Sequence, residues 1–257
     1  MNIKKGEKYY ISIDFDGTLF FQNRISSYNI HTIKKFQKKG HKFILNTGRS
    51  KGNLPECYKK INWDYYLCGA SYIEGKNGEI LFHNYLDEKR IRTAFKVAFI
   101  TESTFSLEGE SRNVTYKKED IMGLDKNKFD ELIKEFIEKN KDNPITKVSF
   151  WKAMDARIDK KLIGFKVIHH SNYFECFIDN ADKGALLDTF MEIENVDRNH
   201  LIGIGDSQND MEMFSRCDGA KVAMHLACDE LKEQADYITK RSTSGVGEAI
   251  EFLLAFK

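Results

Sequence analysis

The amino-acid sequence predicts an α/β fold, in which a doubly wound and mostly parallel sheet is interrupted by an inserted α+β segment. Two observations lead to this fold class. Strand-like and helix-like stretches alternate through the first 65 residues and again towards the C-terminus, which is typical of βαβ units around a parallel sheet. Between about residues 84 and 174, helices stand beside short alternating stretches, which is the pattern of an antiparallel sheet with helices on one face.

The first 65 residues predict two strands, each followed by a helix. The strand-like stretches are rich in β-branched and aromatic residues. The first helical stretch carries apolar residues at helical spacing and ends before a glycine, Gly40. The predicted elements are a strand over residues 9–14, a helix over 27–39, a strand over 41–46 and a helix over 53–60.

The middle of the chain breaks this alternation. Asn77-Gly78 lies between two apolar segments of residues 71–82, and this dipeptide is a strong signal for a β-hairpin. The stretch that follows predicts helices over 88–99 and 128–139, and strands over 104–107, 145–151 and 164–168. We therefore expect an inserted α+β domain over residues 84–174.

The βα alternation resumes after this segment. Residues 200–205, 220–223 and 237–239 predict strands, and 247–256 predict a closing helix. Together with the first part of the chain they would complete the parallel sheet. The predicted core domain therefore comprises residues 1–83 and 175–257.

The composition is that of an ordinary globular protein. Hydrophobic residues make up 41% of the chain and charged residues 31%. The 40 basic residues nearly balance the 39 acidic ones, so the net charge is +1. This balance gives no electrostatic reason to expect a nucleic-acid or membrane partner. We expect the partner to be recognised by a local site.

Cysteine usage and the N-terminus predict a cytoplasmic location. The five cysteines are odd in number, scattered, and form no C-x-x-C pair, which favours reduced thiols. The first residues lack the apolar core of a signal peptide. No apolar run approaches the ~20 residues that a membrane-spanning helix needs.

The stretch Asp14-Phe15-Asp16-Gly17-Thr18 ends the first predicted strand. Two carboxylates with one residue between them repel each other, and burial raises the free energy of both ionised forms. A bound cation or a chemical role would explain the arrangement. The alternative is a turn in which aspartate caps the backbone before glycine.

Three further motifs lie where other core strands end or a helix begins. They are Asn46-Thr47-Gly48-Arg49-Ser50, Asn180-Ala181-Asp182-Lys183-Gly184 and the acid- and amide-rich stretch 203–210. In open α/β sheets, ligands bind at the carboxyl ends of the strands. A turn-capping role for the first motif would leave these three unexplained, so we expect the four motifs to form one site.

The four motifs, in this order, resemble those of the haloacid dehalogenase superfamily, most of whose members are phosphatases. Their spacing resembles the Cof-type branch, and the resemblance covers nearly the whole chain. It implies a Rossmann-like core with an α+β cap domain inserted between the second and third motifs. Two segments depart from the branch pattern, namely 68–71 (Cys-Gly-Ala-Ser) and 224–227 (Met-His-Leu-Ala). Because both would border the site, a relative's substrate preference is not carried over.

The resemblance and the chemistry of phosphoryl transfer together suggest roles. Asp14 would be the nucleophile that forms an aspartyl-phosphate, and Asp16 the acid that protonates the leaving alcohol and later activates water. Thr47 and Lys183 would complete the catalytic set, Lys183 as a positive charge on the phosphate. The expected Mg²⁺ ligands are Asp14, Asp16, Asp206 and Asp210. The expected substrate-binding residues are Gly17, Thr18, Gly48, Arg49 and Asn209.

Some of these residues have simpler interpretations. Arg49 could equally pair with a surface acid, and Asp182 and Ser207 are read as cap or turn residues. The expected function is a Mg²⁺-dependent phosphatase acting on a small phosphorylated metabolite, either a sugar phosphate or a phosphorylated cofactor. A phosphomutase of the same superfamily and a non-catalytic regulator that binds a phosphorylated metabolite remain open alternatives. The sequence predicts neither the physiological substrate nor the oligomeric state.

Overall fold

The structure is a computed structural model that describes residues 1–151, 161–179 and 181–255. The chain divides into two compact units. The first unit comprises Met1–Gly48, Pro55–His83 and Asp182–Lys257. The second unit comprises Arg49–Leu54 and Asn84–Ala181.

The strands and helices of the described residues follow in chain order. The strands are β1 (Tyr10–Ile13), β2 (Phe20–Phe21), β3 (Arg24–Ile25), β4 (Lys42–Thr47), β5 (Tyr65–Cys68), β6 (Tyr72–Gly75), β7 (Ile80–His83), β8 (Thr104–Gly109), β9 (Asn113–Tyr116), β10 (Ile145–Trp151), β11 (Phe165–His169), β12 (Phe174–Ile178), β13 (Leu201–Gly205), β14 (Ala220–Ala223) and β15 (Tyr237–Ile238). The helices are α1 (Ser27–Lys38), α2 (Glu88–Thr101), α3 (Lys118–Ile121), α4 (Lys126–Lys139), α5 (Lys183–Glu194), α6 (Met211–Phe214), α7 (Asp229–Glu233) and α8 (Gly245–Leu254). Within the described ranges, no helix is both long enough and apolar enough to cross a membrane.

The first unit is built on a sheet in the order β15-β14-β13-β1-β4-β5-β6-β7. Its strands run parallel from β15 to β5, and the hairpin β6–β7 adds two antiparallel strands. β1 has β13 on one side and β4 on the other, so the chain winds away from β1 in both directions. The predicted doubly wound α/β core is confirmed. Its switch point, where ligands bind in such sheets, lies at the end of β1.

The register of the central strands brings the motifs together. Ile13 pairs with Leu45 in β4 and with Ile204 in β13. Asp14, the next residue, therefore lies level with Asn46 and Gly205. Because parallel strands all end at the same edge of a sheet, the first, second and fourth motifs meet there.

The second unit is the predicted α+β insertion. Its antiparallel sheet has the order β11-β12-β10-β8-β9. Helices α2 and α4 contribute Phe95 and Phe136 to a core in which Phe105 and Phe150 project from the sheet. These rings pack with centroids 5.0–5.8 Å apart, within the usual range for aromatic pairs.

The predicted helix over residues 53–60 is wrong. Two short 3₁₀ turns, Lys51–Asn53 and Glu56–Lys60, occupy this region instead. Pro55 separates them, and Leu54 before it is extended, with φ −79° and ψ 131°. A proline lacks an amide proton and disfavours helical backbone at the preceding residue, so a continuous helix cannot form.

The predicted domain boundaries also need correction. The boundary between residues 174 and 175 falls inside β12, which pairs with β10 and β11 of the second unit. The second unit therefore extends to Ala181. It also includes Arg49–Leu54, which the sequence placed in the core, because this segment packs against β8.

Candidate active site

Lys183 links three of the predicted motifs. Its Nζ lies 2.5 Å from Asp14 Oδ1, 2.6 Å from Asp210 Oδ1 and 3.1 Å from Asn209 Oδ1. Lys183 and Asp14 are each 4% exposed, and Asp210 is 0% exposed. One ammonium group therefore bridges the carboxylate that follows β1 and the acid- and amide-rich loop that follows β13.

Burial and charge determine the protonation of this group. Burial alone would lower the pKa of Lys183, but Asp14 and Asp210 raise it above its ordinary value. Burial raises the pKa of Asp14; Lys183 opposes that shift, while Asp210 and Asp206 reinforce it. The ammonium is thus firmly cationic, and the carboxylate of Asp14 needs positive charge nearby to stay ionised.

Asp206 is held against the first motif. Its Oδ1 accepts a hydrogen bond of 2.7 Å from the Thr18 hydroxyl. Gly17 has φ +79°, and a Cβ at that position would come within 2.4 Å of Asp206 Oδ2. Glycine satisfies both the left-handed backbone and the close approach of the carboxylate. Gly17 and Thr18, predicted to bind substrate, therefore position Asp206 in the structure.

Asp210 fixes the loop that carries Asp206. Its Oδ2 accepts hydrogen bonds from the backbone amides of Asp206 at 2.9 Å and Ser207 at 3.1 Å. Its Oδ1 accepts from Lys183. The Ser207 hydroxyl donates to Asn209 Oδ1 at 2.9 Å, in keeping with its interpretation as a turn residue. Both oxygens of Asp210 are engaged by protein donors, which suits a positioning role.

Three carboxylates form a group with the donor chemistry of a divalent-cation site. One oxygen each from Asp14, Asp206 and Asp210 lie within 4.8 Å of one another. Hard oxygen donors are the ligands that Mg²⁺ prefers. The three carboxylates carry up to three negative charges against the single charge of Lys183, so a divalent cation would offset the remainder. The residues present therefore fit Mg²⁺.

Asp16 differs from the other predicted metal ligands. Its side chain is exposed and is not one of the carboxylates in that group of described residues. An exposed carboxyl group is accessible to a leaving alcohol and to water, which suits an acid and base better than a buried ligand. Its role as a ligand stays a prediction.

The second motif is divided between the two units. Thr47 ends β4, and its carbonyl accepts from Gly69 N at 3.0 Å. Gly48 follows in the first unit, and a Cβ there would meet nothing within 4 Å. Arg49 belongs to the second unit, where its guanidinium donates to the Asn53 carbonyl at 3.0 Å. Both the substrate-binding role of Arg49 and its pairing with a surface acid stay predictions.

Asn46 begins the second motif, and the motif alone predicted no role for its side chain. It is 1% exposed, and its Nδ2 donates to Ser12 Oγ at 3.2 Å and to the Lys183 carbonyl at 3.4 Å. It therefore joins β4 to β1 and to the start of α5. The signal for this role is the pairing of β1 with β4, in which Ile13 lies opposite Leu45 and Asn46 therefore lies beside Asp14. Asn180 of the third motif lies outside the described residues.

The two segments that depart from the branch pattern both follow core strands. Cys68 ends β5, and the next two residues, Gly69 and Ala70, have φ of +57° and +53°. Met224 follows β14, and its amide donates to the Gly205 carbonyl at 2.9 Å. Leu226 is 59% exposed. Both departures thus lie at the same edge of the sheet as the four motifs.

Comparison with known proteins is consistent with this geometry. A family model described as haloacid dehalogenase-like hydrolase matches residues 11–250. Phosphoglycolate phosphatase 1 of Saccharolobus solfataricus is 30% identical over 250 residues, covering 95% of each chain. Phosphoglycolate phosphatase of Methanobrevibacter smithii is 27% identical over 253 residues, covering 94% of this chain and 96% of the relative. The crystal structure of a haloacid dehalogenase-like hydrolase from Bacteroides thetaiotaomicron superposes with a TM-score of 0.78 at 25% identity, covering 96% of this chain and all of the other.

Proposed function

This chain belongs to the family of haloacid dehalogenase-like hydrolases, and from that premise we propose that it is a Mg²⁺-dependent phosphatase that hydrolyses a small phosphorylated metabolite through an aspartyl-phosphate. The observation that carries the proposal is the bridge from Lys183 Nζ to Asp14 at 2.5 Å and Asp210 at 2.6 Å, beside the three-carboxylate group. It supplies a nucleophile and fixed positive charge at one point of the sheet edge.

In the first step, Asp14 attacks the phosphorus atom of the ester. The bond between phosphorus and the leaving oxygen breaks as the bond to the Asp14 carboxylate forms. Asp16 gives its proton to the leaving alcohol, which would otherwise depart as a poor alkoxide leaving group. Lys183 and the backbone amide of Gly48 attract the phosphoryl oxygens, on which negative charge is spread.

In the second step, water hydrolyses the aspartyl-phosphate. Asp16, now ionised, takes a proton from the water, whose oxygen attacks phosphorus and releases the carboxylate of Asp14. Inorganic phosphate leaves, and Asp16 is again protonated. The exposure of Asp16 allows both proton transfers.

Mg²⁺ would be held by Asp14 and Asp206, with Asp210 orienting the loop that carries Asp206. When bound, it supplies positive charge that offsets the buried carboxylates and the phosphate. Thr18 keeps the carboxylate of Asp206 in place through its hydroxyl. These contacts support the proposed ligand set.

The substrate class rests on the relatives. Both relatives described above are named phosphoglycolate phosphatases, so a small phosphorylated hydroxy acid joins sugar phosphates and phosphorylated cofactors as a candidate. The segments after β5 and β14 differ from the branch pattern, so phosphoglycolate is the first substrate to test and not an assigned one. The second unit, inserted between the second and third motifs, is proposed to act as the cap that selects among them.

One assay tests the proposal. Purified protein is incubated with p-nitrophenyl phosphate, phosphoglycolate and a panel of sugar phosphates, each in Mg²⁺ and in EDTA. We expect release of phosphate in Mg²⁺ and loss of activity in EDTA. Asp14→Asn should abolish turnover and trapping of a phosphoryl-enzyme, whereas Asp16→Asn should still form some intermediate from p-nitrophenyl phosphate. Absence of turnover on every ester would favour the regulator, and transfer of phosphate within a sugar would favour the phosphomutase.

A further inference from the structure

The segment Arg49–Leu54 lies between β4 and β5 in the chain, yet it packs as part of the second unit. Two of its side chains donate to the same carboxylate oxygen. Ser50 Oγ lies 3.4 Å from Glu108 Oε2, and Asn53 Nδ2 lies 3.2 Å from it. Ser50 is 0% exposed, so its hydroxyl has exchanged water for this carboxylate. Glu108, in β8, is therefore the anchor of the segment.

Glu108 is itself held firmly. It is 4% exposed, and its Oε1 accepts from Ser149 Oγ at 2.5 Å. Lys147 Nζ lies 3.5 Å from Oε2 and 2.5 Å from Glu175 Oε1. A buried carboxylate that lost these partners would be strongly unfavourable, so the network keeps Glu108 in one place.

The backbone of the segment fits closely against β8 and the turn that follows it. A Cβ on Gly52 would come within 2.6 Å of the Gly109 carbonyl oxygen and 2.8 Å of Arg112 N. The Asn53 amide donates to the Ser50 carbonyl at 3.0 Å, and Arg49 donates to the Asn53 carbonyl at 3.0 Å. Contacts on both side chains and backbone thus hold the segment in one conformation.

This segment directly continues the turn that is proposed to hold the phosphoryl group. Thr47 is fixed on its other side, where its carbonyl accepts from Gly69 N. At Gly48 an added Cβ would meet nothing within 4 Å, and glycine gives that turn little rigidity of its own. We infer that Glu108 is a positioning residue, which orders the phosphate-binding turn at Thr47 and Gly48 by anchoring the segment that follows it. This inference rests on the proposed function of that turn.

The test compares Glu108→Gln with a matched control. The substitution removes the negative charge to which Ser50 and Asn53 donate and turns one acceptor oxygen into an amide donor. If the new amide nitrogen faces Asn53, the Asn53 side-chain amide loses its acceptor; if it faces Ser149, whose hydroxyl can accept, the segment keeps only a neutral acceptor, which binds more weakly than a carboxylate. Glu175→Gln is the control, because it also removes one negative charge next to Lys147. The described side-chain contacts of Glu175 are with Lys147 and His170 and not with the segment. Ser50→Ala is the milder variant should Glu108→Gln fail to fold.

Two measurements are made on each protein in Mg²⁺. Hydrogen exchange of residues 49–54 reports how firmly the segment is anchored. The inhibition constant of inorganic phosphate, measured against p-nitrophenyl phosphate, reports how tightly the turn at Thr47 and Gly48 binds phosphate. Glu108→Gln should speed the exchange and raise the phosphate constant by about tenfold, the scale of a lost hydrogen bond to a charged group. Glu175→Gln should change neither. The combined effect of Ser50→Ala and Glu108→Gln should be smaller than the sum of the two, because both break one contact.

The outcomes separate the inference from the function. Faster exchange in Glu108→Gln or Ser50→Ala with an unchanged phosphate constant would overturn the positioning role and leave the phosphatase standing. An equal rise of the phosphate constant in Glu175→Gln would also overturn it, since that effect would come from the charge of Lys147. If wild type neither turns over p-nitrophenyl phosphate nor binds phosphate, the proposed function fails and the positioning role with it.

Discussion

At the scale of single residues, the candidate site brings several carboxylates close together, with Lys183 as their one cationic side-chain partner among the described contacts. Asp14, Asp206 and Asp210 meet around one lysine, and burial raises the pKa of both Asp14 and Asp206. A hydrogen bond from Thr18 opposes the shift at Asp206. We expect this repulsion to destabilise the protein when no metal ion is bound, as is common at functional sites.

Asp206→Asn tests whether this acid serves a metal or a turn. Asparagine keeps the shape and an acceptor for Thr18 but removes one charge, so in EDTA the variant should be at least as stable as wild type. Mg²⁺ should raise the Tm of wild type, because a ligand of the native state stabilises it. That rise should be much smaller in Asp206→Asn. Thermal melts in EDTA and Mg²⁺ measure both effects.

Asp64 provides the matched control for this prediction. It is 5% exposed and accepts from the Phe43 amide at 3.1 Å and from Lys42 at 3.2 Å, at the start of β4. As a structural carboxylate, Asp64→Asn should lose ~1 kcal/mol and keep the wild-type response to Mg²⁺. If Asp206→Asn behaved like Asp64→Asn, the metal role of Asp206 would be wrong.

His41 gives a second prediction at this scale. It is 7% exposed, and its Nδ1 accepts from the Tyr9 amide at 3.3 Å. Burial, with Lys8 and Lys39 nearby, lowers its pKa to about 4 from an ordinary 6.5. Between these values the unfolded chain binds the proton and the folded chain does not. Stability should therefore fall as pH drops from 6.5 to 4, by about 1–3 kcal/mol.

Urea unfolding at pH 7 and pH 4.5 isolates this contribution. In His41→Asn the amide oxygen can still accept from Tyr9 but does not titrate, so the loss of stability at pH 4.5 should be smaller than in wild type. His31→Asn, at an exposed position of α1, should keep the wild-type loss. Equal losses in all three proteins would refute the assignment to His41.

At the scale of elements, the start of α5 determines where Lys183 lies. A lysine at the first position of a helix meets an unfavourable dipole, which Asp14 and Asp210 offset. Asp182 caps the helix by accepting from the Ala185 amide at 2.8 Å. The cap and the carboxylates together hold the ammonium in the site.

Asp182→Ala should lower the free energy of unfolding by ~1 kcal/mol through the lost cap. It should also lower kcat, because the first turn of α5 frays and Lys183 is less well placed. Asp182→Ser restores an N-cap acceptor without the charge and should recover most of both losses. Denaturant unfolding and p-nitrophenyl phosphate turnover are the measurements. Loss of kcat in both variants with normal stability would point instead to a direct role of the Asp182 carboxylate.

At the scale of the whole molecule, the residues proposed for the chemistry belong to the first unit, and the second unit is proposed to select the substrate. The acids and Lys183 all belong to the first unit. Exposed apolar side chains of the second unit, such as Met122 at 39% and Trp151 at 50%, contribute little to its core. If this unit selects the substrate, its surface should affect preference and leave the chemistry unchanged.

Met122→Ala and Trp151→Ala should therefore change the kcat/KM ratio between natural esters by about threefold or more, the scale of a lost apolar contact. Turnover of p-nitrophenyl phosphate should stay close to wild type. Ile193→Ala, 42% exposed on α5 of the first unit, is the control and should leave the ranking unchanged. An unchanged ranking across a panel of such second-unit variants would contradict the role in selection.

Local patterns in the sequence determined the fold class and indicated the residues that are proposed to form the site. These patterns depend only on neighbours in the chain: the periods of strands and helices, the turn residues Asp16-Gly17, and the polar residues that follow each strand. They indicated the parallel sheet and its carboxyl edge. The break in alternation near residue 84 indicated the insertion. The breaking effect of Pro55 was equally local and was missed.

Only the tertiary structure showed which distant residues contact each other. Lys183 meets Asp14 across 169 positions of the chain, Thr18 meets Asp206 across 188, and Ser50 meets Glu108 across 58. Such contacts decided that Thr18 supports Asp206 and that Arg49–Leu54 packs with the second unit. Such pairings depend on the packing of distant segments, because burial makes each unpaired charge unfavourable until a partner from elsewhere in the fold lies beside it.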